Sequence, residues 1–182
     1  MQWFKQQKAD VIFLQESHYT KATICYIDVE WHGKSFHCFG TNNSKGVSVL
    51  LGAKVPMNVI DHHCLDNGRG ILVNIETDET IYTLVNIYAP NKGRERDQFF
   101  RTLFQWVSEH KKGTIVMGGD FNIVLDDDID KKSDGVKRHV NNKVILEMIR
   151  KYKLTDVGQH YMYGESKMQM SHSILGGNYS HQ

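Results

Sequence analysis

The strongest constraint on what this chain can fold into is how its apolar residues are parcelled. They fall in short β-rich runs bounded by Gly, Asn and Asp, and helical spacing appears in only a few places. VIFLQE (11–16), residues 35–40, 46–51, 55–61, 70–76 and 80–89, and TIVMG (114–118) each read as strands. Runs of this length, rich in Val, Ile, Leu and Tyr and closed by turn residues, suit a pleated and buried surface. The polar ETDET between two of them predicts a hairpin. Over 97–112 the period changes: Phe100, Leu103, Phe104 and Val107 recur at helical spacing, and Gly113 stands where a C-cap would. That spacing makes most of Phe99, Phe100, Phe104 and Trp106 core side chains rather than stacking partners for bases. A second helix is predicted over 141–152, with Val144, Ile145, Met148 and Ile149 as its buried stripe, and a short helical pattern precedes Ala9. No convincing period or strand appears in the last stretch, so 1–160 reads as one domain and 161–182 as a divergent, poorly structured tail. Many strands with a few interspersed helices predict an α+β or layered α/β/β/α domain with its sheets in the middle.

Composition narrows the function classes. The 182 residues are 40% hydrophobic and 24% charged, enough for a core that buries roughly 70% of the unfolded surface. A net charge of +1 excludes a histone-like polybasic binder and leaves nucleic-acid contact to local patches. No run reaches the roughly 18 apolar residues of a membrane span, and MQWFKQQKAD lacks the apolar stretch of a secretory signal. Three cysteines, Cys25, Cys38 and Cys64, are an odd count without a C-x-x-C pair, so neither a disulfide framework nor a four-cysteine zinc site is expected. A soluble intracellular protein in a reducing compartment is expected, with no membrane and no obligate protein partner; a nuclear location would follow only from a nucleic-acid substrate.

Three predicted strands end in groups that metal-assisted hydrolysis uses. Period-two alternation puts Ile12, Leu14 and Glu16 on one side of the first, delivering a carboxylate at the rim of a dry face. In TIYTLVNIYAPN, Tyr82, Leu84, Asn86 and Tyr88 share a face; in TIVMGGDFN, Val116, Gly118, Asp120 and Asn122 do. The paired glycines before the acid leave room for a phosphate or for another backbone. Mg²⁺ takes hard oxygen donors through one or two carboxylates and keeps waters and phosphate in its shell, which Glu16 with Asp120 fits. Asp120 with Asn122 would orient a water, and the Tyr88 phenol would donate to charge developing on phosphorus. Strands also end in Asp, Asn and Glu simply because a turn begins there, and the residues alone leave both readings open.

DVIFLQESH, KGVSVLL, LVNIYAPN and IVMGGDFN occur in this order, and together they resemble the endonuclease/exonuclease/phosphatase superfamily. The wording is most similar to the apurinic-type endonuclease domain of non-LTR retrotransposons, related to exonuclease III and to apurinic/apyrimidinic endonucleases of DNA repair. The resemblance runs from about Trp3 to Asp156 and implies a four-layered α/β/β/α sandwich. It places Glu16 at the metal-binding glutamate, Tyr88 at the active-site tyrosine and Asn91 where an asparagine contacts the scissile phosphate. Asp120 matches the aspartate that acts on the attacking water and takes part at the metal, and Asn122 its partner near metal and phosphate. The activity so implied is DNA phosphodiester hydrolysis, by nicking or exonuclease III-like, with Mg²⁺ or alternatively Mn²⁺ as cofactor and DNA as partner.

The family pattern begins with a strand bearing a metal-site asparagine and ends with a strand bearing an S-D-H-like element. This sequence starts inside the first helix, and no Asp-His pair follows Asp156; Ser180-His181 lacks the acid. A domain truncated at both ends, with impaired activity, is therefore expected. Alternatives are a catalytically inactive nucleic-acid-binding remnant of such an endonuclease, and a phosphoesterase acting on another substrate.

Other signals carry less. Asp126, Asp128 and Asp130 have calcium-loop spacing, but Lys131 and Lys137 occupy positions that the loop gives to glycine and glutamate, so a solvated acidic turn is expected. His62, His63 and Cys64 would alternate on a strand and cannot all reach one ion, so they read as a surface segment. His18 reads as a loop residue, and Ser17 and Ser48 lack a nucleophile elbow. Lys92, Arg94, Arg96 and Arg101 follow the tyrosine strand and would either track a DNA backbone or sit solvated.

Overall fold

A computed structural model describes residues 9–20, 30–40, 45–65, 68–123, 143–156 and 174–176. The opening helical pattern, Cys25, the acidic turn at 126–130 and Ser180-His181 lie outside the described residues. Nine strands are described: β1 (Val11–Gln15), β2 (Gly33–Cys38), β3 (Val47–Gly52), β4 (Asn58–Leu65), β5 (Gly70–Thr77), β6 (Thr80–Tyr88), β7 (Thr114–Asp120), β8 (Leu154–Asp156) and β9 (Ile174–Gly176). The two described helices are α1 (Gly93–His110) and α2 (Lys143–Lys151). The strands form a three-stranded antiparallel sheet, β1-β3-β2, and a six-stranded sheet, β4-β5-β6-β7-β9-β8. β6 and β7 run parallel, which requires a crossover, and α1 supplies it.

The central strands β5 and β6 are apolar on both faces because both faces are covered. Ile71, Val73, Ile75 and Leu84 point toward the smaller sheet and pack with Val47, Val49, Leu51, Val11 and Phe13. Leu72, Val85 and Ile87 point the other way, onto Phe99, Phe100, Leu103, Phe104 and Val107 of α1 and Val144 and Ile145 of α2. A third cluster lies on the smaller sheet, where Trp31 and Leu50 pack with Ile12, Leu14 and Tyr19. Two stacked sheets with helices against the larger one make an α+β sandwich. No helix among the described residues is long and apolar enough to cross a membrane.

The expected hairpin between β5 and β6 is present, closed by Asp78 and Glu79 at φ 47° and 60°, the pair of left-handed residues that a two-residue turn needs. Three expectations need correction. β4 runs from 58 to 65 rather than 55 to 61, so His62, His63 and Cys64 are strand residues; as an edge strand it is held by its ladder to β5 and needs no apolar run of its own. Cys38 and Cys64 are bonded to each other, joining β2 of one sheet to β4 of the other, a pairing across 26 residues that local spacing cannot reveal. Gly113 is not a C-cap: α1 ends at His110, Lys111 caps it by donating to Val107 O, and a Cβ on Gly113 would lie 2.0 Å from Ile81 O. β9 falls in a stretch without a strand pattern, being only three residues long.

One edge of the sandwich is closed by polar groups. The buried Asn74 donates to Asp61 Oδ1 (2.6 Å) and His110 O (2.9 Å) and accepts from the Thr83 hydroxyl (2.7 Å), while Lys112 Nζ lies 2.6 Å from Asp61 Oδ2. Burial opposes ionisation of Asp61, but the bonds from Lys112 and Asn74 and the charges of Lys112 and His63 outweigh it, and its pKa falls below the usual value. A carboxylate depressed by folding contributes stability above its unfolded pKa and loses it as pH falls through the folded one. The difference in urea-unfolding free energy between wild type and Asp61→Asn is therefore expected to be full near neutrality and to shrink below about pH 4. A difference that is constant across that range would contradict the network.

Candidate active site

Three strand ends meet at one rim of the two sheets. β6 and β7 finish side by side, with Tyr88 in register with Asp120 and Ala89 N donating to Asp120 O at 2.8 Å. β1 belongs to the other sheet and is brought to them by Asn86. The Asn86 side chain, fully buried, donates to the carbonyls of Leu14 in β1 and Ser48 in β3 at 2.8 Å each, and accepts from Gln15 Nε2 at 2.6 Å. A buried amide in an apolar layer must satisfy its polar atoms, and here it does so across the gap between sheets.

Glu16 follows directly. Ile12 and Leu14 pack with Trp31 and Leu50, away from the layer between the sheets, which takes Val11 and Phe13 instead. Alternation puts Glu16 on the side of Ile12 and Leu14; the carboxylate does stand at the rim, but it meets Tyr88, which packs on the opposite side of β1 with Val11 and Phe13. The strand stops at Gln15 and Glu16 adopts φ 48°, turning the chain out of the pleat. Ser17 N to Gly46 O (3.1 Å) and His18 N to Lys45 O (3.3 Å) hold the turn. The exposed Glu16 carboxylate then accepts a short hydrogen bond from the Tyr88 phenol. That bond, then burial and the negative charge of Glu16, raise the phenol's pKa; Arg69 opposes the shift and Asp120 adds to it. Tyr88 is thus a neutral phenol, able to donate its proton, at neutral pH.

Asp120 is exposed at the end of β7, and its Oδ1 accepts from Asn122 N at 2.9 Å. Asn122, at φ 51°, turns back so that its Nδ2 donates to Ala89 O at 2.8 Å. Of the two uses foreseen for the paired glycines, close approach of another backbone is the one seen: Gly119 sits at φ 127°, and a Cβ there would lie 2.1 Å from Ile87 O. Asn91 is exposed just beyond β6. Arg96, foreseen either at a DNA backbone or in solvent, does neither. It is buried, and its guanidinium donates to Asn122 O (2.7 Å) and Asn91 O (3.2 Å), bracing the two loops against α1. Lys92 pairs with Glu95 at 3.6 Å, and Arg94 and Arg101 are exposed on α1.

The structure therefore gathers Glu16, Tyr88, Asp120 and Asn122 at one rim, with Asn91 on the adjoining loop. Sequence reasoning missed Arg69, which lies against Tyr88, because a charged residue in a glycine turn carries no pattern. It noticed Asn86 only as a face-mate of Tyr88, although an amide inside an apolar strand is itself a signal for a buried polar tie. Among the described residues no three His, Cys, Asp or Glu side chains form a metal-holding group. Two exposed carboxylates with an amide nearby are a hard-oxygen donor set that fits a hydrated Mg²⁺ or Mn²⁺ rather than a fully caged ion.

Two stacked sheets with helices against the larger one, and with acids, amides and a neutral phenol at one rim, define the class of sandwich found in nucleases and phosphodiesterases. The model of the Endonuclease/Exonuclease/phosphatase family matches residues 1–155, and the chain belongs to that family. It is 30% identical over 158 residues to the transposon TX1 149 kDa protein of Xenopus laevis; this covers 86% of the chain and 12% of that relative's length. An AP endonuclease from Archaeoglobus fulgidus shares the fold at a TM-score of 0.63 and 16% identity, over 96% of this chain and 79% of that one. D. rerio TDP2 complexed with a single-strand DNA product does so at 0.60 and 13%, over 96% and 74%.

Asn86→Leu removes both donors from the Leu14 and Ser48 carbonyls while keeping most of the volume. We expect it to lower unfolding free energy by about 2–4 kcal/mol in urea titrations, the cost of leaving buried acceptors unmade. A loss below about 0.5 kcal/mol, the usual effect of a surface change, would show that the sheets are held in register without it.

Proposed function

We propose that this chain is a Mg²⁺-dependent DNA phosphodiesterase that cuts within a strand, an apurinic-type or nicking endonuclease. The observation that carries the reading is the hydrogen bond from the Tyr88 phenol to Glu16 beside Asp120, which joins three strand ends from two sheets at one point. The similarity to a transposon protein, and the fold shared with an AP endonuclease and with TDP2 holding a DNA product, favour DNA over other phosphoesters.

In this reading Glu16, with Asp120 and Asn122, would hold the cation, which when bound would polarise the phosphoryl oxygen and offset charge on the leaving oxygen. Asp120 accepts the proton of the attacking water, and Asn122, fixed by Ala89 O and Arg96, keeps that water in line. Tyr88 has a single proton to donate; with substrate bound it turns from Glu16 to a non-bridging phosphoryl oxygen, where charge grows in the transition state. Asn91 contacts the same phosphate. Arg94 and Arg101, exposed on α1, meet the DNA backbone without reading sequence.

The test is nicking of supercoiled plasmid by purified protein. Chelation is expected to abolish it and added Mg²⁺ to restore it. Asp120→Ala is expected to lower the rate by about 10²–10⁴-fold while DNA binding, read by gel shift, persists. Binding without metal-dependent nicking in the wild type would overturn the enzymatic reading in favour of a silent DNA-binding remnant.

A further inference from the structure

Tyr88 ends β6, one residue past the last β5–β6 pair at that end, Gly70 with Ile87, so the sheet ladder does not fix it on that side. Arg69 does so instead. Its carbonyl accepts from Tyr88 N at 2.8 Å, its Nη1 donates to Tyr88 O at 3.0 Å, and its guanidinium lies 5.1 Å from the centre of the Tyr88 ring. One residue thus satisfies both main-chain groups of the tyrosine and covers its ring.

The turn carrying Arg69 is itself fixed. Gly68 is at φ 67°, and a Cβ there would lie 2.5 Å from Phe39 O, so the turn is packed against the strand exit of β2. Gly68 O accepts from Gly46 N at 3.0 Å, and Gly46 O accepts from Ser17 N, the residue after Glu16. Both ends of the Tyr88–Glu16 hydrogen bond therefore hang from one turn: Tyr88 through Arg69, and Glu16 through Gly46.

From this geometry we infer that Arg69 is a positioning residue, which fixes the Tyr88 ring so that its phenol reaches Glu16 and the reacting phosphate. The functional part of the inference rests on the phosphodiesterase reading; the structural part does not. A planar guanidinium can bond the carbonyl and lie over the ring at once, whereas the ammonium of lysine is a point charge without that flat fork.

The test uses the full chain with ring-labelled tyrosine at neutral pH, with Tyr88→Phe assigning the resonance. In Arg69→Gln the Tyr88 Cζ resonance is expected to shift in the same direction as in Glu16→Ala, and the two substitutions together to give less than the sum, because both break one hydrogen bond. Nicking kcat is expected to fall roughly 10–100-fold with KM little changed, as for misplacement of a reacting group, and Arg69→Lys is expected not to restore it. Additive shifts, an unmoved resonance or full rescue by lysine would overturn the inference. So would a raised KM and weaker salt dependence at unchanged kcat, which would make Arg69 a phosphate contact. Should Arg69→Gln fail to fold, Arg69→Lys alone decides, its spectrum and kcat expected to depart from wild type. If the wild type does not nick DNA, the phosphodiesterase reading fails, while the tyrosine spectra still decide the role of Arg69.

Discussion

The side chain of Asn86 is the tie on which the rest of this structure depends. Aliphatic faces of two stacked sheets attract without direction, and such packing alone leaves one sheet free to slide on the other. Directional bonds remove that freedom. By donating to β1 and β3 and accepting from Gln15, an amide of β6 sets the smaller sheet against the larger one at the end where the acids stand. Gln15 is one residue from Glu16 and Asn86 two from Tyr88, so fixing the first pair fixes where the second meets.

Around that tie the rim is built by backbone geometry and by two guanidinium groups, the buried Arg96 and the half-buried Arg69, bonded to main-chain carbonyls. Glu16 and Asn122 both leave their strands in left-handed conformations, at φ 48° and 51°. Each such residue is disfavoured by roughly 1–2 kcal/mol and persists because surrounding bonds over-determine it. For Asn122 those bonds come from Arg96 and Ala89; for Glu16 they come from the 45–46 turn. Arg69 and Arg96 thus spend their guanidinium groups on main-chain carbonyls, while the Glu16 and Asp120 carboxylates stay exposed. Two exposed acids at one rim are a hard-oxygen donor arrangement of the kind that fits a divalent cation.

Much of this was legible in the sequence where a period repeats. β1, the β5–β6 hairpin, α1 and β7 follow from apolar spacing, and their order with the polar strand ends already implied the family. What escaped has physical causes. The second half of β4 is an edge stabilised by hydrogen bonds to its neighbour, so HHCL carries no hydrophobic signature. The Cys38–Cys64 bond and the inward turn of Arg96 are long-range or packing events that composition cannot register. Alternation put Glu16 at the right rim but on the side away from Tyr88, because the period-two rule holds only while the chain stays in the pleat, and the strand ends one residue before the acid.

The central claim is that Glu16 and Asp120, from different sheets, serve one cation. Calorimetric titration of Mg²⁺ into the full chain tests it most directly, with Glu16→Ala, Asp120→Ala and both together. A single binding isotherm in the wild type, weakened by either substitution and abolished by the pair, is the predicted result. An isotherm unchanged in the double variant would place the cation elsewhere and contradict the account.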